Sequence, residues 1–249
     1  MTDNLTTRSD KLAIALYQSI SDTHQDREYE HWHASSIAAC PRAQHYQRLG
    51  IKPLILPTAA KMLRWDAGHQ MEASIRPHLA NVYPGLKSNV RLTSKKMDLT
   101  GEYDNYSEKD KLLIEVKTVG PRAPRYRRKD EERHHLRDDS PYLAHEYQNH
   151  AYVLLLREKG LPIEAITYIY ITLEGLIITY DTLVQENILH NVEKRLEVLK
   201  KAQEGALPAC LCNPDHPLWG SAMQFCDYRD DDNECCSEDL LIKFQQGDK

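Results

Sequence analysis

Residues 111–119, KLLIEVKTV, constrain the fold more than any other stretch of the chain. Leu112, Leu113, Ile114, Val116 and Val119 make an apolar run of strand length, yet Glu115 and Lys117 interrupt it. Residues two apart on a strand project to the same face. Glu115 and Lys117 therefore leave together from a strand that otherwise wants burial, and a buried charge must be paired or bind a cation. Residues 97–104 read as a second strand, with 107–110 (SEKD) as the turn of a hairpin. Antiparallel pairing of 97–104 with 111–118 brings Asp104 towards Glu115 and Lys117. Two close carboxylates repel each other and suit a hard divalent cation with oxygen ligands, Mg2+ or Mn2+. A lysine beside them orients a water or stabilises charge developing on a phosphate. The set predicts metal-assisted phosphodiester hydrolysis.

The elements around this hairpin follow from periodicity. Residues 10–21 carry Leu12, Ala15, Leu16 and Ile20 at helical spacing. Ser35 or Ser36 can cap a short helix holding Cys40, Ala43 and Tyr46. A helix is expected over 59–79, interrupted near Pro77, then a strand over 88–93. Tyr142–Glu158 reads as a helix with Tyr147, Ala151, Leu154 and Leu155 on one side. Residues 165–173 and 177–180 read as a strand pair. Asp181 or Thr182 is the expected cap of a helix to about 203, stopped by Gly205 and Pro208. The order predicts an α/β fold with one sheet. Its expected parts are an N-terminal helical segment (1–58), a core (59–205) and a cysteine-rich segment (206–249).

No run of about 18 apolar residues is present, so no membrane span is expected. Residues 1–10 are polar and lack the apolar stretch of a secretory signal, and a cytoplasmic protein is expected. The formal net charge of -5 does not advertise nucleic-acid binding. Locally the balance reverses: residues 121–137 hold six Arg and one Lys against one Asp and two Glu. The stretch 121–140 lacks periodicity and reads as a basic loop rooted just after the acidic strand. There Arg122, Arg125, Arg127 and Arg128 can meet phosphates and Tyr126 can stack on a base. The six cysteines are uneven too. Cys40 stands apart, while Cys210, Cys212, Cys226, Cys235 and Cys236 fall within 27 residues. In a reducing compartment such clustering reads as zinc or iron–sulfur ligation before disulfides.

Taken in order, GEYD (101–104), EVKT (115–118) and QNHAY (148–152) resemble the PD-(D/E)XK nuclease superfamily in its RecB-like branch. The resemblance implies a restriction-endonuclease-like core, with a mixed central sheet flanked by helices. It makes Asp104, Glu115 and Lys117 catalytic and puts Gln148 and Tyr152 on the following helix, near the lysine or the nucleic acid. Upstream, RWDAGHQMEASI resembles the first helical motif. Its count pairs Gly68 with Glu72 as a further metal ligand, and His69 is the competitor on the same helix face.

CRISPR-adaptation exonucleases and AddB-type nucleases of this branch tie one N-terminal cysteine to three C-terminal ones through a [4Fe–4S] cluster. By that resemblance Cys40, Cys226 and Cys235 or Cys236 are ligands, with Cys212 or Cys210 as the fourth. Thirteen residues separate Cys212 from Cys226, where the family has about two. This insertion admits His216, and Zn2+ is the alternative to iron. The implied function is a metal-dependent DNase, an exonuclease on single strands or duplex ends, with a recombination or CRISPR-adaptation protein as partner. The alternatives are a catalytically silent DNA-end-binding module and a zinc-stabilised interaction module.

Overall fold

The computed structural model describes residues 11–20, 30–53, 57–120, 141–172, 174–209 and 228. Its centre is strand β3 (Leu99–Ser107). One edge of β3 carries β2 (Lys87–Ser94), antiparallel, from Lys87↔Tyr106 to Ser94↔Leu99. The other edge is shared. Strand β4 (Leu112–Val119) takes its C-terminal end, with Asn105↔Ile114 as the last pair. The short strand β1 (Trp32–His33) takes its N-terminal end in parallel, at Trp32↔Leu99 and His33↔Thr100. Between these two ladders, residues 101–104 face an opening in the sheet. Strand β4 continues in parallel with β5 (Ala165–Thr172), and β6 (Ile177–Leu183) closes the sheet antiparallel to β5.

Helices cover both faces. Residues 11–20 form α1. Helix α2 (Pro41–Arg48) begins with proline, whose missing N–H costs nothing in the first turn, and Cys40 is its N-cap. Helix α3 (Ala59–Val82) is capped by Thr58, whose Oγ1 accepts from the Lys61 N–H at 3.2 Å. Helix α4 (Leu143–Glu158) is the crossover between the parallel strands β4 and β5, and α5 (Glu186–Gln203) packs beside it.

Alternation along β4 and β5 divides the core. Leu113, Tyr168 and Tyr170 face α4 and α5 in the larger cluster. Ile114, Val116, Ile169 and Ile171 face α3, through Met71, Ile75 and Leu79. Each such aliphatic side chain contributes about 1.5–3 kcal/mol when fully buried, so both helical layers are held firmly against the β3–β4 hairpin.

Four expectations change. Ser35 and Ser36 do not cap α2: both lie in the 3-10 turn Ala34–Ser36, and Cys40, expected inside the helix, is its N-cap. Pro77 does not interrupt α3, which runs to Val82; the proline is exposed, and the apolar face on either side of it binds the helix to the sheet. Asp181 and Thr182 do not cap α5. They lie in β6, where Asp181 pairs with Thr167 and accepts its hydroxyl at 2.5 Å, and Gln185 is the N-cap. Asp104 is not at a strand end, because β3 continues to Ser107 and the turn is drawn tight by Ser107 and Asp110.

Candidate active site

Asp104 lies where both ladders of β3 fail. On one side pairing with β4 stops at Asn105↔Ile114. On the other the β2 register omits the pair that would join Asn89 to Asp104, and Asn89 takes a left-handed φ of 52°. Asparagine tolerates that conformation better than most residues. With the strands parted, Asp104 Oδ2 accepts the Val116 N–H at 2.8 Å. A carboxylate thus replaces a ladder carbonyl and is fixed beside Glu115.

Glu115 has no solvent-exposed surface. Its Oε1 accepts from the Lys117 ammonium at 2.5 Å and from Gln148 Nε2 at 2.9 Å. Its Oε2 is buried and accepts no hydrogen bond among the described residues. The Asn149 amide lies near enough to favour the charged carboxylate, without reaching hydrogen-bond geometry. Such an orphaned oxygen costs about 1–3 kcal/mol or more for a charged group, and a cation would satisfy it.

Gln148 and Tyr152 are one turn apart on α4, and the Gln148 amide also donates to the Tyr152 hydroxyl at 2.9 Å. Tyr152 is buried, with its ring over Gly101. It therefore orients Gln148 from below. Gly101 is required by this approach: a Cβ there would lie 2.6 Å from Tyr152 Cε1 and 2.7 Å from Ala34 Cβ.

Helix α3 enters through Gly68, which lies over Thr118 at the end of β4. One turn on, Glu72 comes near enough to perturb Asp104, Glu115 and Lys117, and its carboxylate accepts from Arg76 at 2.9 Å. Arg76 escaped the sequence reading, although the i,i+4 Glu–Arg spacing was a usable signal. His69 is exposed on the same helix. No group of three or more His, Cys, Asp or Glu side chains is close enough to hold a metal ion among the described residues.

The electrostatics follow from this crowding. Burial, then the Glu115 charge, push the Asp104 carboxyl well above the usual range, against the pull of Lys117. Burial also raises Glu115, with Lys117 opposing it. Burial would lower Lys117, but Glu115 and Asp104 outweigh it and the ammonium is held above its ordinary value. Lys117 is therefore a fixed cation and no proton acceptor. Three carboxyl groups face two cations, Lys117 and Arg76, so the site lacks the positive charge that full ionisation of all three would need. The donor set is all oxygen, so the residues fit a hard divalent ion at Asp104 and Glu115.

Arg122, Arg125, Tyr126, Arg127 and Arg128 lie outside the described residues, as do Cys210, Cys212, His216, Cys226, Cys235 and Cys236. Cys40 is buried. Tyr228 is described: its ring packs edge-on against Tyr46 at 5.6 Å, and its hydroxyl donates to the Ile51 carbonyl at 3.1 Å.

No family model matches the chain, and no curated protein matches it. Among solved structures it is similar to the crystal structure of SSO0001, at 15% identity and a TM-score of 0.50, over 87% of this chain and 94% of that one. It is also similar to an alkaline exonuclease from Laribacter hongkongensis, at 11% identity and a TM-score of 0.49, over 71% of this chain and 89% of that one. A phage related exonuclease from Haemophilus somnus is similar at 15% identity and a TM-score of 0.40, over 71% and 96% of the two chains. The likeness to SSO0001 establishes a shared fold: a mixed central sheet between helices.

Proposed function

We propose that the chain is a divalent-metal-dependent nuclease that hydrolyses DNA from single-stranded or duplex ends. The observation that carries this reading is the orphaned Oε2 of Glu115, buried beside Asp104 with its other oxygen held by Lys117 and Gln148. Asp104 and Glu115 would hold the ion, with Glu72 behind them. When bound, Mg2+ or Mn2+ would polarise the phosphoryl oxygen and lower the pKa of its water. Lys117 orients the attacking water and steadies the negative charge on the phosphorane-like transition state. Gln148, braced by Tyr152, keeps the Glu115 carboxylate from rotating.

A second metal centre belongs to the same proposal. Cys40 caps α2, and Tyr228, two residues after Cys226, packs against Tyr46 of that helix. This contact supports a [4Fe–4S] cluster, or zinc, bound by Cys40 and three of the C-terminal cysteines. Anaerobic protein should then carry iron and sulfide, or one zinc.

The deciding experiment incubates end-labelled linear and circular DNA with the protein and magnesium, manganese or chelator. Metal-dependent shortening of linear DNA is expected, and Lys117→Ala should lose at least about two orders of magnitude in rate. A folded Lys117→Ala protein that cuts at the wild-type rate, or cutting that persists in chelator, would overturn the assignment. Binding of ends without any cleavage would favour the silent end-binding module.

A further inference from the structure

Trp65 is 47% exposed on α3. Isolated exposed apolar residues are ordinary, but its place on the helix is not arbitrary. Trp65 and Glu72 are seven residues apart, two turns, so they leave α3 within about 20° of each other and about 10 Å apart along its axis. Gly68 lies between them and presents bare backbone: a Cβ there would meet nothing nearer than Thr118 Oγ1 at 3.9 Å. Lys61, one turn before Trp65, holds its ammonium 5.3 Å from the indole centroid. Gly68 meets Thr118 at the end of β4, and residues 59–67 precede that point on α3, with Trp65 exposed among them. A strip therefore runs outward from Glu72: an acid, a bare step, an aromatic face and a cation. A stacked strand rises about 3.4 Å per nucleotide, so about three nucleotides span the 10 Å.

We infer that Trp65 stacks on a base of the nucleic-acid strand entering the site, within about three nucleotides of the cleaved phosphodiester, and that Lys61 meets the phosphate beside it. The inference rests on the nuclease reading above and adds a substrate-positioning residue to it. Stacking on an aromatic side chain tolerates any base, so the strip confers position and grip without sequence preference.

The test is abasic scanning on the full chain. Affinity for a short single-stranded oligonucleotide is measured in calcium, with one base removed at a time, for the wild type, Trp65→Ala and Trp65→Phe. In the wild type one abasic position near the bound end should weaken binding roughly five- to 100-fold. Trp65→Ala should lose a similar factor on the intact strand, with no further loss at that abasic position, and Trp65→Phe should keep most of the effect. An abasic profile identical in the wild type and Trp65→Ala would overturn the inference, as would an equal loss on every oligonucleotide. Wild-type hydrolysis of thymidine 5′-p-nitrophenyl phosphate with magnesium or manganese reports on the carboxylate site alone. Hydrolysis of that ester together with a flat profile removes the stacking role and keeps the nuclease reading. Failure to cleave it and to bind or cleave any oligonucleotide removes both.

Discussion

Gly101→Ala tests whether Asp104 and Glu115 are positioned through the core. The added methyl would sit 2.6 Å from Tyr152 Cε1 and 2.7 Å from Ala34 Cβ. Carbon atoms settle at about 3.5–4.0 Å, so the tyrosine ring must retreat by about 1 Å. Ala34 is fully buried and cannot yield. The retreat carries the Tyr152 hydroxyl away from Gln148 Nε2, now 2.9 Å distant, and loosens the bond from Gln148 to Glu115. Overpacking of this kind costs about 1–3 kcal/mol. In a chain of about 150–250 residues each kcal/mol lowers the melting temperature by about 2–4 °C, giving a drop of about 2–12 °C. Thermal melts followed by circular dichroism read it. Because Gly101 and Tyr152 touch, the double variant Gly101→Ala/Tyr152→Ala should lose less than the sum of the single losses. Wild-type melting of Gly101→Ala, or strict additivity in the cycle, would refute the argument.

Other perturbations have worked signs. Burial and the Glu115 charge raise the Asp104 carboxyl, so the folded state keeps this proton to higher pH than the unfolded chain, and metal-free stability falls as pH rises through that window. Asp104→Asn should therefore melt above the wild type at neutral pH in chelator, with the advantage vanishing in acid; a lower melting temperature at neutral pH counts against it. Gln148→Leu strips one donor from Glu115 Oε1 and should cost about 1–3 kcal/mol by urea unfolding, which an unmoved midpoint would exclude. Burial works against Asp98, yet hydrogen bonds from Arg48, His31 and Gln203 hold its carboxyl below the usual range. Its contribution is present above the unfolded carboxylate pKa and lost as pH falls through the folded one. Asp98→Asn should cost about 1–2 kcal/mol at neutral pH, allowing for partial exposure, and the gap to the wild type should close in strong acid.

The hairpin was legible because charges inside an apolar strand are hard to reconcile with any inert role. Glu115 and Lys117 had to share a face, and the helix carrying Gln148 had to follow. The parting of the strands at Asp104 was not legible. It comes from the end of the β4 ladder at Asn105↔Ile114 and the left-handed Asn89 opposite on β2; the further opening at 101–104 is bounded by β1, a two-residue strand 67 residues away in sequence that no local pattern announces. Pro77 misled because its ring is an obstacle to an isolated helix, whereas packing of Met71, Ile75 and Leu79 on the sheet overrides it. Asp181 and Thr182 look like caps by residue type; cross-strand partners on β5 claim them first. Glu72 was favoured over His69 on spacing and because a lone histidine is more often structural; the Glu72 charge reaches Asp104 and Glu115, and His69 is exposed.

The hydrogen bond of Tyr228 to the Ile51 carbonyl spans 177 residues, and its ring contact with Tyr46 a few more. Translation at about 5–20 residues per second therefore separates the emergence of the two partners by about 9–35 s. Throughout that interval the ring of Tyr46, with no exposed surface in the finished fold, waits on the ribosome without its cover. Slow docking of this kind leaves a nascent chain open to chaperones and proteases long after its sheet is complete. Truncation before Tyr228 would prolong that vulnerable state indefinitely, so loss of the last tenth of the chain should show first as low cellular abundance.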